Sequence, residues 1–379
     1  MTFTLPSDQP RQPELDHITV QGFRSLAEVN ELALRPINLL IGANGSGKSN
    51  FIGVFAFLNA VREGRLQEYV ERAGGAERIL HFGKKTTNTM RLEVSFKGGL
   101  NRYAVSFRAT DNDALLSADE VVYFWDRKLH PDRPFNRTLS RIGHEAGISE
   151  PSDEVSRWVS DRLGRWRLYH FHDTSRSSPM KTVDALHDNQ FLRPDASNLA
   201  AFLYLLRERH AASYRLIQRT VARVAPFFKD FQLEPSALQP DKLRLEWQHR
   251  HSDAYFDAAS LSDGSLRFIA LATLFLQPVE LRPSVIVVDE PELGLHPFAI
   301  TLLASLIKQA STETQVILST QSSLLLDHFE PEDVLVAEQI AGATTFRRLD
   351  SASLEEWLAD YSLGQLWEKN ELGGRPGGA

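Results

Sequence analysis

The stretch INLLIGANGSGKS, residues 37–49, is the most informative part of this chain for its fold. An apolar run leads into residues 42–49, which match the pattern G-x-x-x-x-G-K-[S/T], and residues 50–62 carry apolar side chains on successive helical turns. A strand, a glycine-rich loop and a helix in this order surround an anion with backbone N–H groups and a helix N-terminus. The stretch therefore predicts a phosphate-binding loop. In it Lys48 would reach the terminal phosphates of a nucleotide, and the Ser49 hydroxyl would ligate Mg²⁺.

A second signal is VIVVDEPE, residues 285–292, in which an apolar strand ends in two carboxylates. Acidic residues often end strands simply because they meet solvent. Beside a phosphate loop, however, a carboxylate at the end of a buried strand suits a Mg²⁺ ligand, and we assign this role to Asp289. Glu290 points differently and is the candidate general base that polarises the attacking water.

The stretch LSDGSLRF, residues 261–268, allows two interpretations. Ser262 and Asp263 are residues that commonly begin a helix, where they accept hydrogen bonds from its first free N–H groups. The same stretch could instead form half of a nucleotide site, because Gly264 would let backbone N–H groups approach a phosphate. The residues alone favour the helix cap.

Composition limits the class of protein. Of the 379 residues, 42% are hydrophobic and 24% are charged, as in ordinary globular proteins, and the net charge of -7 restricts any DNA contact to a local surface. The chain contains no cysteine, which excludes disulfides, thiolate zinc sites and cysteine nucleophiles. Because no apolar stretch reaches the ~18–20 residues of a membrane helix and no secretion signal is visible, we expect a cytoplasmic protein with no membrane partner.

The predicted organisation is an α/β fold with a mixed sheet, antiparallel hairpins and a helical insertion. We expect a flexible leader over residues 1–14, a first ATPase lobe over 15–149, a helical insertion over 150–235, a second lobe over 236–350 and a C-terminal extension over 351–379. Within the first lobe, two alternating runs around Gly98 and Gly99 predict an antiparallel hairpin. Short apolar runs between helices predict mainly parallel strands covered on both faces.

The motifs in combination resemble ABC-type P-loop ATPases, within them the SMC, RecF and OLD group. The resemblance rests on the phosphate loop and on GFRSL (22–26), LSDGSLRF, DEPELGLHP (289–297) and STQS (319–322). The segments YHFHDTS (169–175) and SLGQLWEKNELGGRP (362–376) are similar to uncharacterised bacterial ATPases of that group. The resemblance implies a head in which two subunits enclose two ATP molecules with Mg²⁺. Its nucleotide contacts would be Asn44, Gly45, Ser46, Gly47, Lys48, Ser49 and Asn50 of one subunit, with Ser262, Asp263, Gly264 and Ser265 of the other.

Two positions depart from that pattern. The switch residue, commonly histidine in the family, is Gln321, which donates a hydrogen bond but carries no proton, so hydrolysis is expected to be slow. His296 stands in the loop where many relatives have aspartate and is a candidate contact across the dimer. In this family a further segment, called the Gln-loop, also contributes a residue to the nucleotide site. The motifs do not identify that residue in this chain, and Gln67 and His81 are the candidates.

Two further groups of side chains each allow a structural and a functional interpretation. His170 and His172 face the same way in an extended segment; without further identifiable ligands, we interpret them as structural hydrogen-bonding residues. Arg215, Arg219 and Arg223 share one face of a predicted helix. That face is either simply solvated or a contact for the phosphate backbone of nucleic acid.

These inferences predict an ATP-hydrolysing head that forms a homodimer or higher homo-oligomer around ATP. It would control a DNA-directed process, or a nuclease encoded separately, in DNA repair or phage defence. The alternatives are an ATPase subunit of a transporter and a slowly hydrolysing nucleotide sensor or scaffold.

Overall fold

The computed structural model describes residues 13–128, 131–140, 142–235 and 238–374. Residues 1–12 of the predicted leader and residues 375–379 of the predicted C-terminal extension lie outside the described residues.

The described ranges contain seventeen strands and eleven α-helices, numbered here in chain order. The strands are β1 Leu15–Phe23, β2 Leu26–Ala33, β3 Ile37–Ile41, β4 Thr89–Phe96, β5 Asn101–Ala109, β6 Leu115–Phe124, β7 Phe135–Ser140, β8 Trp166–Tyr169, β9 Val183–Ala185, β10 Phe228–Gln232, β11 Lys242–Arg244, β12 Glu246–His249, β13 Tyr255–Asp257, β14 Val285–Asp289, β15 Gln315–Ser319, β16 Val334–Ile340 and β17 Ala343–Arg348. The helices are α1 Lys48–Arg62, α2 Leu66–Ala73, α3 Ala76–Ile79, α4 Glu154–Leu163, α5 Leu199–Arg209, α6 Ala211–Val224, α7 Asp263–Leu276, α8 Pro297–Ser311, α9 Ser323–Leu326, α10 Ser351–Leu358 and α11 Leu363–Glu368.

One sheet has six antiparallel strands in the order β2-β1-β4-β5-β6-β7. The predicted hairpin is confirmed as β4 and β5, which pair from Thr89 opposite Arg108 to Phe96 opposite Asn101. Gly98 and Gly99 form its turn with φ of 68° and 80°, a left-handed conformation that glycine adopts without steric cost.

The second sheet carries the phosphate loop and has the order β17-β16-β3-β15-β14-β8. Its strands are parallel except β17, which runs antiparallel to β16 at one edge. The parallel strands predicted from the apolar runs are confirmed, and every residue of β3 and β15 is buried. Because these strands are parallel, their carboxyl ends meet at one edge of the sheet, where ligands of open α/β sheets bind.

This second sheet separates two hydrophobic cores. Leu39 and Ile41 of β3 belong to the core that contains α5, α6, α7 and α8, whereas Leu40 belongs to the core between α1 and the antiparallel sheet. Successive side chains of a strand point to opposite faces, so a continuous apolar run fills both cores.

The middle of the chain is less helical than predicted. Residues 150–235 do contain α4, α5 and α6, but they also contain β8, β9 and β10. Strand β8 pairs in parallel with β14 and thereby belongs to the second sheet. Its four residues are too few to show a period in the sequence, and pairing with β14 fixes their conformation. The limits of the predicted lobes and insertion stay predictions.

The predicted C-terminal extension folds back onto the second sheet in its described part. The Gly374 amide donates a hydrogen bond to Glu338 Oε1 over 2.8 Å. Across the described ranges, no helix has both the length and the apolar surface that crossing a bilayer would demand.

Candidate functional site

The phosphate loop joins the end of β3 to the start of α1. Gly45 and Gly47 have φ of 81° and 102°, which only glycine adopts easily, and Gly47 is the N-cap of α1. No side chain caps this helix, and its first turn contains no acidic residue. The free N–H groups and the positive end of the helix dipole therefore face the cleft, as an anion site requires.

Lys48 lies buried inside this loop. Its Nζ donates hydrogen bonds to the carbonyl oxygens of Gly42 and Ala43 over 2.6 and 3.0 Å. Burial lowers the pKa of Lys48, while the nearby carboxylates, Glu290 foremost, raise it and only partly compensate. The cation is thus held against the loop and within reach of the acidic strand end.

Hydrogen bonds from side chains of other elements hold the phosphate loop in place. Thr344 Oγ1 on β17 donates to the carbonyl of Ser46 over 2.9 Å and lies 2.7 Å from Ser25 Oγ. A Cβ at Gly47 would overlap this threonine hydroxyl. Asn50, predicted as a nucleotide contact, lines the cleft but donates its Nδ2 to Ser25 over 2.7 Å. The sequence suggested no role for Ser25, although it lies in GFRSL, and no signal at all marked Thr344.

The predicted acidic strand end and switch residue meet at the neighbouring strand ends. Asp289 ends β14, and its Oδ1 accepts a hydrogen bond from Ser319 Oγ at the end of β15. The Glu290 amide donates to the Ser319 carbonyl over 3.0 Å, and Gln321 Nε2 donates to Glu290 Oε1. The predicted general base and the predicted switch residue are therefore in direct contact.

A cleft of about 170 Å³ lies between these elements. Its lining contains every residue predicted to bind nucleotide in the phosphate loop together with the base and the switch residue: Asn44, Gly45, Ser46, Gly47, Lys48, Ser49, Asn50, Glu290 and Gln321. Ser49 is exposed in the first turn of α1, which leaves its hydroxyl accessible to an ion.

Glu292 positions the switch segment, a role that the sequence analysis did not assign. Its Oε1 accepts hydrogen bonds from Thr320 Oγ1 over 2.6 Å and from the Gln321 amide over 3.1 Å. Burial raises the pKa of Glu292. The carboxylate thus fixes the backbone of Gln321 while the amide side chain of that residue contacts Glu290.

The stretch 261–268 forms a capped helix start. Ser262 is the N-cap of α7, and its Oγ accepts a hydrogen bond from the Ser265 amide over 3.2 Å. Asp263 lies 3.7 Å from Lys181, and a Cβ at Gly264 would overlap the carbonyl oxygen of Gly294. None of these four predicted contacts lines the cleft of its own chain. The local cap is therefore present, and contact with a nucleotide stays a prediction.

Arg267, one turn further along α7, connects three segments around the site. This buried guanidinium donates to the carbonyl of Phe171 over 2.8 Å, to that of His172 over 3.0 Å and to that of Leu293. It joins the helix after Ser262 to the segment after β8 and to the loop after Glu290. No pattern of neighbouring residues indicates this role.

The other candidates lie apart from the cleft lining. Gln67 donates to the carbonyls of Leu115 and His144, and His81 Nδ1 contacts the carbonyl of Arg24 over 2.6 Å. Neither lines the cleft. His296 is the N-cap of α8, where its Nδ1 accepts from the Phe298 amide over 3.3 Å.

His170 and His172 lie beside Asp289. Because β8 pairs with β14 in the register Tyr169 opposite Val288, the residues that follow both strands are neighbours. One ligand atom from each of His170, His172 and Asp289 lies within 4.8 Å of the others. The sequence did not indicate that Asp289 lies near the two histidines, because it is more than a hundred residues away from them along the chain.

Comparison with known proteins agrees with this arrangement. Residues 37–327 match the AAA_21 family, described as "AAA domain, putative AbiEii toxin, Type IV TA system". Urease accessory protein 2 of Cryptococcus neoformans var. grubii is 23% identical over 250 residues, covering 57% of this chain and 20% of that protein. The chain thus spans about a fifth of the length of this curated relative.

Two solved structures share the fold. An SMC head bound to the C-terminal winged-helix domain of ScpA has a TM-score of 0.59 and 15% identity, with 91% of this chain and 100% of that chain covered. The Smc head of Pyrococcus furiosus, with an extended coiled coil and bound to the C-terminal domain of ScpA, has a TM-score of 0.54 and 15% identity, covering 92% and 99%. The predicted α/β P-loop ATPase fold is confirmed. Because the matched region covers most of the chain and includes the phosphate loop, Asp289 and Gln321, the chain belongs to the AAA_21 family of P-loop ATPases, with the fold of an SMC head.

Proposed function

We propose that this chain binds and hydrolyses ATP with Mg²⁺ and that two copies close around two ATP molecules to control a partner that acts on DNA. The observation that carries the proposal is the cleft itself. The cleft is lined by the phosphate loop, Glu290 and Gln321 of one chain, whereas Ser262 to Ser265 of that chain are not part of its lining. A second chain would have to supply its own Ser262 to Ser265 to complete the site.

The residues that line the cleft, together with Asp289 at the adjoining end of β14, suit the chemistry of a nucleoside triphosphate. The uncapped start of α1 and the Lys48 cation would hold the phosphates by charge-assisted hydrogen bonds. The Ser49 hydroxyl and the Asp289 carboxylate are oxygen ligands of the kind that Mg²⁺ prefers, and the ion would neutralise phosphate charge. Glu290, held by Gln321, would accept a proton from the attacking water.

The start of helix α7 in one copy would contact the nucleotide that the other copy binds. Ser262 and Asp263 are exposed, so the start of α7 is available to a neighbouring molecule. In that dimer the free amides of α7 would face the γ-phosphate, which ADP lacks. ATP, and not ADP, would then hold the two chains together.

Light scattering of Glu290→Gln tests this. The substitution keeps the shape of the side chain but removes the base, so the variant is expected to accumulate with ATP and Mg²⁺ at twice the mass of the 42.7 kDa chain. ADP should leave it monomeric, and adding Lys48→Ala should abolish the increase. The proposal fails if the variant binds ATP and its mass stays at 42.7 kDa.

The controlled partner is proposed from the family. Its description names a putative toxin of a toxin–antitoxin system, and the two SMC heads of similar fold are each bound to a domain of ScpA. A head of this kind would transmit nucleotide state to a separate protein, such as a nuclease encoded nearby, in phage defence or DNA repair. Co-purification of the untagged chain with the products of neighbouring reading frames, with and without ATP, would identify it.

The contact between Gln321 and Glu290 favours a second candidate, a slowly hydrolysing nucleotide sensor. The amide donates a hydrogen bond to the base but cannot relay its proton. If this limits turnover, Gln321→His should raise the single-turnover rate by roughly 100-fold, the lower end of the range of general acid–base effects. Gln321→Ala is the control, since it frees Glu290 without adding a proton carrier. Equal rates in both variants would argue against this candidate.

A further inference from the structure

The segment after β8 carries two imidazoles that the proposed ATPase chemistry does not use. His170 is exposed and His172 half-buried, and their ring centroids lie 6.4 Å apart with the ring planes inclined by 36°. Phe171 between them is buried, so both histidines point away from the core in the same direction.

The backbone that carries these rings is held in place. The His170 amide donates to the Pro194 carbonyl over 2.9 Å. The carbonyls of Phe171 and His172 both accept hydrogen bonds from the Arg267 guanidinium. The imidazoles therefore start from fixed Cα positions, which reduces the conformational entropy that binding a ligand would cost.

Asp289 supplies a carboxylate to the same place. Its Oδ1 accepts one hydrogen bond from Ser319 Oγ, and a carboxylate with about four acceptor sites keeps capacity for an ion. One ligand atom from each of the three side chains lies within 4.8 Å of the others. Ligands around a tetrahedral zinc ion, at about 2.1 Å from it, lie about 3.4 Å apart, so small side-chain rotations would close the set.

We propose that His170, His172 and Asp289 form a binding site for one divalent transition-metal ion, separate from the Mg²⁺ that accompanies ATP. Two imidazoles and one carboxylate are a ligand set of Zn²⁺, Fe²⁺ and Co²⁺, and they leave open positions for water. Mg²⁺ prefers oxygen ligands and competes poorly for imidazole nitrogen. The site takes a transition metal even when Mg²⁺ is in large excess.

The shared carboxylate gives the site a regulatory consequence, which rests on the proposed function. An ion held by both histidines engages Asp289 and withdraws it from the Mg²⁺ of the nucleotide site. Transition-metal binding would then weaken Mg²⁺-dependent hydrolysis without blocking the phosphate loop.

Titration of the full-length, untagged, nucleotide-free protein with Co²⁺ in millimolar Mg²⁺ tests the site, followed by visible absorption and calorimetry. We expect one Co²⁺ per chain with a ligand-field band. His170→Ala and His172→Ala should each lower the affinity by at least tenfold, since loss even of groups that only support metal ligands costs that much. Asp289→Asn should also lower it, and His187→Ala, which changes an exposed histidine elsewhere, should not.

The outcomes separate the alternatives. Absence of binding by the wild type, or equal affinity of the wild type and a His170→Ala, His172→Ala double variant, overturns the site. Unchanged affinity in Asp289→Asn overturns the shared carboxylate. Because no nucleotide is present, a failure of ATP binding or dimerisation leaves these results unaffected, and thermal unfolding of each variant shows that it is folded.

Discussion

Replacing Gly264 with alanine tests whether this glycine serves the packing of its own chain. A Cβ at Gly264 would overlap the carbonyl oxygen of Gly294, in the loop that follows Glu290. The obstacle is a backbone atom, and it cannot move away as the end of a flexible side chain would. Gly294 has φ of 76°, and the carbonyl of the preceding Leu293 accepts a hydrogen bond from Arg267, so the loop is held immediately before the clash.

The expected loss follows from two opposing terms. Overpacking that forces backbone to shift costs typically about 1–3 kcal/mol. Alanine in place of glycine in a helix returns about 0.5–1 kcal/mol. We therefore expect Gly264→Ala to lower the free energy of unfolding by up to about 2.5 kcal/mol, with a central value of about 1 kcal/mol, in the absence of nucleotide.

Gly53→Ala is the matched control. Gly53 lies inside α1, and a Cβ there would meet its nearest neighbour, Arg24 Nη1, at an ordinary 3.4 Å. This variant should gain only the stabilisation that alanine brings in place of glycine in a helix, and its free energy of unfolding should rise. Urea and thermal unfolding of both variants measure the difference. If Gly264→Ala is as stable as Gly53→Ala, the contact with Gly294 does not constrain position 264, and its glycine would be needed only for the approach of a second subunit.

Three further perturbations test other parts of the site and the fold. Lys48→Ala should lower ATP affinity in calorimetry by roughly 10- to 150-fold, the value of one hydrogen bond to a charged group, without destabilising the free protein, because burial lowers the pKa of this lysine; unchanged affinity would place the phosphates elsewhere. Burial raises the pKa of Asp184 from 3.8 to about 7, so the folded state binds the proton more tightly than the unfolded state, and stability is lost as pH rises from about 4 to about 7. Asp184→Asn should remove this loss and stabilise the protein at pH 8 by up to about 4 kcal/mol but hardly at pH 4, and equal effects at both pH values in urea titrations would contradict the assignment. Arg215, Arg219 and Arg223 are exposed on one face of α6, and if they contact DNA phosphates, their joint replacement with glutamine should reduce the salt slope of DNA binding by nearly three units. An unchanged slope in fluorescence anisotropy would leave them as a solvated face.

The nucleotide-site motifs and the type of sheet that carries them could be predicted from the amino-acid sequence. The pattern of residues 42–49 is local, because consecutive residues of a strand, a loop and a helix start surround the phosphates. The apolar runs before Gly42, Asp289 and Gln321 predicted parallel strands for the same reason: a strand buried on both faces has no polar positions to alternate with. Neither conclusion depends on a distant contact.

Which of these side chains meet depends on contacts between elements that are distant along the chain. Gln321 reaches Glu290 because β15 lies beside β14, and Thr344 braces the phosphate loop from a strand some three hundred residues away. His170 and His172 approach Asp289 through the pairing of β8 with β14, which a strand of four residues does not reveal in its sequence. The sequence favoured a helix cap at Gly264, but its contact with the Gly294 carbonyl depends on how α7 packs against the loop after Glu290. Strand order and helix packing set these contacts, and neither is encoded in the local periodicity of a single segment.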